Sequence, residues 1–504
     1  MAMQLGSLLF GLVLVIGFSL QNSEAATDPP VVCDTINRTN FETGFIFGAA
    51  SASYQYEGAV QEDGRGPSIW DNYTHQYPER IKDGSNADVT VDQYHRYQVS
   101  KSHNFQISRS IFLTLTSTSR SNGTLSGGVN EAGIEYYNKL INETLLKGLK
   151  PFVTIFHWDL PQALEEEYGG FLSFQIVKHF REYANLCFER FGDRVKHWIT
   201  LNEPYAYSNM GYAIGTFAPG RCSDWQQLNC TGGNSAIEPY LVTHNLLLAH
   251  ANAVDLYKTT YQALQRGVIG ITLVSHWFVP VSNATHHTNA QLRALDFMFG
   301  WFMDPITSGH YPHSMQVLVG PRLPKFTKEQ SKLLAGSFDF LGLNYYTTYY
   351  ASYAGHNNSV PPSYLTDARV NQSREYKLKN AGSDWLYIYP EGIYHLLLYI
   401  KNKYDSPLIY ITENGVDELN DPTLSLEQAL NDTVRIDYHH DHLCYVQAAI
   451  KNGTNVKGYF AWSLLDNFEW NSGFTVRFGL YYVDYNDGLK RYPKKSALWF
   501  KGWL

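Results

Sequence analysis

Cysteine is scarce in this chain, with 5 in 504 residues, and no two stand as C-x-x-C. Nothing therefore argues for a thiolate metal site or a dithiol redox centre. The G-x-S-x-G elbow of a serine hydrolase is also missing. Lys and Arg number 39 against 47 Asp and Glu, a formal charge of −8. No basic stripe is present, so nucleic acid is not an expected partner. Beyond the first two dozen residues no apolar run is long enough for a helix to cross a bilayer. The glycines of "EDGRGPS" (62–68) make a turn, not a phosphate-binding loop.

Aromatic side chains are abundant: 11 Trp, 37 Tyr and 27 Phe. Most belong to a core, but flat rings also suit the apolar faces of sugars. The N-terminus combines an apolar stretch, Leu8–Leu20, with small residues near Ala25. This is the pattern of a secretory signal over residues 1–25, followed by a polar leader at 26–40 and one domain over 41–504. N-x-S/T sequons recur from Asn37 to Asn452, as expected of a glycoprotein of the secretory pathway, whether secreted, in the cell wall or vacuolar. Cys222 and Cys230 bracket a short polar loop and are expected to pair; the odd cysteine count leaves at least one thiol free.

Apolar, β-branched runs recur at Phe45–Ala50, Pro151–Phe156, Val195–Leu201, Val268–Val274, Phe338–Leu343, Leu408–Thr412 and Val456–Trp462. Helical patterns lie between them, such as residues 240–264. This alternation predicts a parallel α/β sheet. An eighth strand is expected within 101–120, and eight strands close a barrel. The predicted fold is a single (β/α)8 barrel with loop insertions. Such barrels place their chemistry at the C-terminal ends of the strands. Polar residues fall there repeatedly: Gln55 and Glu57, His157-Trp158-Asp159, Asn202-Glu203, Asn344-Tyr345-Tyr346, Glu413, and Trp462 through Glu469-Trp470.

"WITLNEPY" (198–205) and "LIYITENG" (408–415) share one design, an apolar strand delivering a Glu beside an Asn. Paired carboxyls of this kind can cleave a glycosidic bond, one donating a proton and the other attacking or activating water. Different environments must then separate their pKa values. The histidines of "YHHDHL" (438–443), His439 and His442, share a helical face but are assigned a structural or surface role, and His244 and His250 a packing role. No metal site and no cofactor are expected.

With "FIFGAASASYQYEGA", "HWDLPQALEEEYGGF", "TLNEP", "LIYITENG" and "AWSLLDNFEW" in place, the chain resembles the family 1 glycoside hydrolases, specifically the plant β-glucosidases. Its leader and "EPYLVTHNLLLAHA" are most similar to the cyanogenic type that hydrolyses prunasin and amygdalin. The resemblance implies a retaining mechanism with Glu203 as acid/base and Glu413 as nucleophile. It implies Gln55, His157, Asn202, Trp462, Glu469, Trp470 and Phe478 as glucose contacts. Tyr346 is implied as the hydrogen-bond partner of the nucleophile, and Trp385 as a wall of the aglycone side. Thioglucosidases of the family carry Gln where this chain has Glu203, and phospho-glycosidases lack the acid at Glu469. The resemblance therefore points to O-linked substrates with a neutral glycone. The expected partner is a small-molecule β-glucoside, neither nucleic acid nor membrane; homo-oligomer formation is left open.

One stretch departs from the family pattern. Where "RFSISW" belongs, residues 98–121 read "QVSKSHNFQISRSIFLTLTSTSRS", and neither Arg109 nor Arg120 stands at the family spacing. "SIFLTLT" (110–116) is the only β-branched run in reach of the second strand position. The alternative reading is a catalytically impaired, glycoside-binding relative.

Overall fold

The computed structural model describes residue 33 and residues 36–97, 110–114, 128–355, 359–374 and 379–504. Eight parallel strands form a closed barrel. They are β1 (Ile46–Ala49), β2 (Ser110–Thr114), β3 (Lys150–Phe156), β4 (His197–Asn202), β5 (Val268–Val274), β6 (Phe340–Asn344), β7 (Ile409–Asn414) and β8 (Val456–Ala461). Strand β2 occupies the second position within the departing stretch. Its backbone pairs Ser110 with Lys150 and Thr114 with Thr154 on one side, and with Gly48 and Ala49 of β1 on the other. The circle closes where Ile46 to Ala49 pair with Gly458 to Ala461. Arg109 and Arg120, like the signal segment 1–25, lie outside the described residues.

The strands form where apolar runs are continuous because both faces of a barrel wall are covered. Val268–Val274 is buried at every position except its first residue. Several strands run one or two residues beyond the apolar signal. β4 ends at Asn202, β6 at Asn344 and β7 at Asn414, because pairing continues into the polar residues of the site.

Inside the barrel, aromatic side chains from different strands fill the lower half. Phe152 stacks on His197 at 4.0 Å and meets the edges of Phe460 at 5.0 Å and Tyr410 at 5.2 Å. A packed interior of this kind leaves binding space only at the mouth. The helix Glu238–Leu256 carries apolar residues on all sides and is buried almost throughout. Its His250 bonds Thr200 Oγ1 at 2.6 Å and Ser337 Oγ at 3.2 Å, and its His244 bonds the Tyr311 hydroxyl at 3.0 Å.

His439 and His442 are buried in the helix Thr433–Lys451, against the Tyr459 hydroxyl and the Tyr438 carbonyl. Among the described residues no metal-binding group of three or more His, Cys, Asp or Glu side chains gathers, and no helix is long and apolar enough to cross a membrane.

Cys222 and Cys230 form a disulfide. A second bridge, Cys33–Cys444, ties the leader to the helix Thr433–Lys451 across a sequence separation of 411. The free thiol is Cys187, which is buried. The folded body thus begins earlier than residue 41, with Asn37 capping a turn at Arg38–Asn40.

Candidate active site

The strand ends converge on one cavity of about 660 Å³ at the mouth of the barrel. All eleven candidate residues line it: Gln55, His157, Asn202, Glu203, Tyr346, Trp385, Glu413, Trp462, Glu469, Trp470 and Phe478. A second cavity of about 640 Å³, beside Asn420 and Tyr482, contains neither barrel carboxyl.

Glu203 follows the last residue of β4 and holds a left-handed backbone, φ 41°. Its N–H still donates to Thr272 of β5 at 3.0 Å, and Pro204 then opens the helix Pro204–Asn209. The reversal between strand and helix turns the carboxyl into the cavity mouth. Positive φ is uncommon at a bulky residue, and Trp158, two residues beyond β3, shows it as well with φ 74°.

Glu413 lies within β7. Its backbone carbonyl accepts from Tyr345 N–H at 3.1 Å, and the Tyr346 hydroxyl donates to its Oε2 at 2.6 Å. Asn414 Nδ2 donates to the Tyr345 carbonyl at 2.7 Å, so the tip of β7 is clamped to the tip of β6. Both carboxyls are buried, at 8% and 7% exposure.

Burial raises the pKa of Glu203 to about 7, against a lowering hydrogen bond from Asn344. Burial also raises Glu413, and the charge of Glu203 adds to it. The two carboxyls interact and titrate as a pair. The phenol O–H of Tyr346 donates to Glu413 and favours its ionised form.

Hydrogen bonds fix the polarity of the surrounding groups. Asn344 Nδ2 donates to Glu203 Oε1 at 2.7 Å and to Asn202 Oδ1 at 3.2 Å. Asn202 Nδ2 faces His157 Nε2 at 3.0 Å. Burial lowers the His157 pKa to about 3, so its neutral ring can accept that bond. Gln55 Nε2 donates to Asn467 Oδ1 at 2.9 Å, the Phe468 carbonyl at 3.0 Å and Glu469 Oε2 at 3.3 Å. Gln55 Oε1 is buried with no partner, an open acceptor for a ligand hydroxyl.

Trp462 Nε1 donates to Glu469 Oε1 at 3.3 Å, and burial raises the Glu469 pKa to about 8. Trp470 packs on Trp158 at 4.5 Å and on the His157 ring at 5.8 Å. Trp385 is 38% exposed at the rim, edge-on to Tyr346, and Phe478 meets Tyr346 from another side. A pocket with apolar rings below and a few convergent polar groups suits a polyhydroxylated ligand with an apolar face.

A family model described as glycosyl hydrolase family 1 matches residues 37–503. The chain belongs to glycosyl hydrolase family 1. This family 1 enzyme is 56% identical over 513 residues to β-glucosidase 12 of Oryza sativa subsp. indica, covering 99% of this chain and 97% of the relative. It is 54% identical over 505 residues to the isoflavonoid 7-O-β-apiosyl-glucoside β-glycosidase of Dalbergia nigrescens, covering 99% and 91%. Among solved structures, a mutant rice β-glucosidase in a covalent complex with Glc superposes with a TM-score of 0.89 at 47% identity, over 93% of this chain and 100% of that one. The impaired alternative finds no support in these matches, which run through the departing stretch at nearly full length.

Three further side chains join the hydrogen bonds of this family 1 site. Asn467 bonds Gln55 and Thr412 bonds Asn344, and no sequence spacing signals either contact. Asn344 was visible at a strand end, but its reach to Glu203 depends on how β6 sits beside β4 across β5.

Proposed function

We propose that the protein is a retaining β-glucosidase acting on O-β-glucosides of plant secondary metabolites, cyanogenic glucosides among them. The observation that carries the reading is the pair of buried carboxyls, Glu203 and Glu413, at the tips of β4 and β7 in one sugar-sized, ring-lined cavity. Glu413 attacks the anomeric carbon while protonated Glu203 gives its proton to the glycosidic oxygen, and the aglycone leaves. Glu203, now ionised, takes a proton from water, which attacks the anomeric carbon and frees Glu413. The covalent glucose complex of the rice relative supports this sequence of steps. Gln55, His157, Asn202, Trp462, Glu469, Trp470 and Phe478 hold the glucose. Trp385 and the apolar rim, with Phe217 and Met298, face the aglycone. The disulfides suit an oxidising compartment, in line with secretion to the wall or vacuole.

Glucosylation needs protonated Glu203, whose pKa stands at about 7. The acid form is present below that value and is lost as pH rises through it. kcat/KM for an alkyl or phenyl glucoside should therefore fall on the alkaline side of about pH 7. A dinitrophenyl glucoside, which leaves without protonation, should show no such limb, and Glu203→Gln should remove it from the residual activity on the phenyl glucoside. An unchanged alkaline limb in the variant would assign it to another group.

In this reading the Glu469 carboxyl hydrogen-bonds sugar hydroxyls. Losing buried bonds of this kind costs on the order of a hundredfold in kcat/KM. Glu469→Ala should show that loss on glucosides while the ranking of aglycones stays the same. A variant whose aglycone ranking inverts would show that Glu469 serves the other half of the substrate.

A further inference from the structure

We infer that Thr412 is a positioning residue that sets the direction of the Asn344 amide and, through it, the competence of Glu203 as a base. The inference rests on the assignment of Glu203 as acid/base. Thr412 Oγ1 donates to Asn344 Oδ1 at 2.6 Å. Thr272 Oγ1 lies 3.4 Å behind it and can donate in turn to Thr412. All three side chains are fully buried. The chain of bonds runs one way, from Thr272 on β5 through Thr412 on β7 to the Asn344 carbonyl on β6. The Asn344 nitrogen then points at Glu203 Oε1 and Asn202 Oδ1.

The approach of the hydroxyls depends on Gly342. A Cβ there would stand 2.2 Å from Thr272 Oγ1 and 2.9 Å from Thr412 Cγ2, so any side chain would displace the pair. The strand order places Gly342 beside Thr272 in register, which makes this gap a built feature of the wall.

The chemistry follows from what each atom can do. An ionised carboxylate only accepts, so the Asn344 nitrogen must face Glu203 while Glu203 is a base. With the Thr412 hydroxyl removed, the buried Asn344 carbonyl has no donor. Turning the amide would bring that carbonyl to Glu203, where only a protonated carboxyl can satisfy it. Loss of Thr412 therefore favours protonated Glu203 and disfavours the step in which Glu203 must take a proton from water. The titratable groups around Glu203 are Glu413 from β7, Tyr346 after β6, His157 after β3 and Glu469 after β8. All four are retained in the variants below, so a difference between them reports the hydroxyl.

Thr412→Val keeps the shape and removes the hydroxyl, and Thr412→Ser keeps the hydroxyl. With a dinitrophenyl glucoside, steady-state turnover of Thr412→Val should fall about tenfold, the order expected when a buried polar group loses its partner. The pre-steady-state burst of dinitrophenolate should be preserved. The alkaline limb of kcat/KM for a phenyl glucoside should move to higher pH. Azide, which needs no base, should restore turnover, and Thr412→Ser should behave as the unaltered enzyme does. Thr412→Ala serves if the Val variant does not fold.

A slowed burst would place the effect on Glu413 and overturn the inference, as would an unchanged pH profile and turnover in both hydroxyl-free variants. If azide instead fails to yield a glucosyl azide with Glu203→Gln, it is the acid/base assignment that falls.

Discussion

Glu413→Gly should abolish hydrolysis of β-glucosides, with a fall on the order of 10³-fold or more in kcat, the scale seen when a unit of catalytic groups is broken. The site explains why. Glu413 is held in line by the Tyr346 hydroxyl at 2.6 Å and by the β6–β7 clamp through Asn414, so no neighbouring carboxyl can take its place. Glu469 and Glu203 share the cavity, but Glu469 is engaged with Trp462 and Gln55, and Glu203 with Asn344. The Gly variant leaves a gap on the nucleophile face. Azide should enter it and attack an activated glucoside directly, giving the α-glucosyl azide. Formation of the β-azide by this variant would reverse the roles of the two carboxyls.

Glu203→Gln should produce the opposite partition. A substrate whose leaving group needs no proton should still transfer its glucose to Glu413 in a fast burst. Water then lacks a base, and turnover should stall at the covalent stage, on the order of 10²–10⁴-fold slower, the usual contribution of general acid–base catalysis. Alkyl glucosides should lose the first step as well. Added azide should release the stalled enzyme as the β-glucosyl azide, and its rate should no longer depend on pH near neutrality. Equal slowing of the burst for good and poor leaving groups would show that Glu203 is not the proton donor.

The eight-stranded wall was legible because a barrel strand buries both faces and therefore reads as an unbroken apolar run. Strand β2 was legible by exclusion, since residues 110–116 were the only β-branched run in reach. The polar strand ends were legible too: Asn202-Glu203 and Glu413-Asn414 break apolar runs where a packed strand has no use for charge. Their partners were harder. Trp385 and Phe478 sit on loops far from either carboxyl in sequence, and only the family resemblance singled them out. Thr412 reads as an ordinary β-branched strand residue, and its hydroxyl matters only because Gly342 opens the wall beside it. The Cys33–Cys444 bridge spans nearly the whole domain, and five cysteines permit several pairings that spacing does not rank.

In the proposed mechanism Glu413 and Glu203 act in two inversions that preserve the anomeric configuration. Proton NMR of the first glucose released from a phenyl β-glucoside, recorded before mutarotation, tests it most directly. β-Glucose is the expected initial product, with α-glucose appearing later at the rate of spontaneous equilibration. Initial release of α-glucose would mean a single displacement by water and would contradict the role given to Glu413.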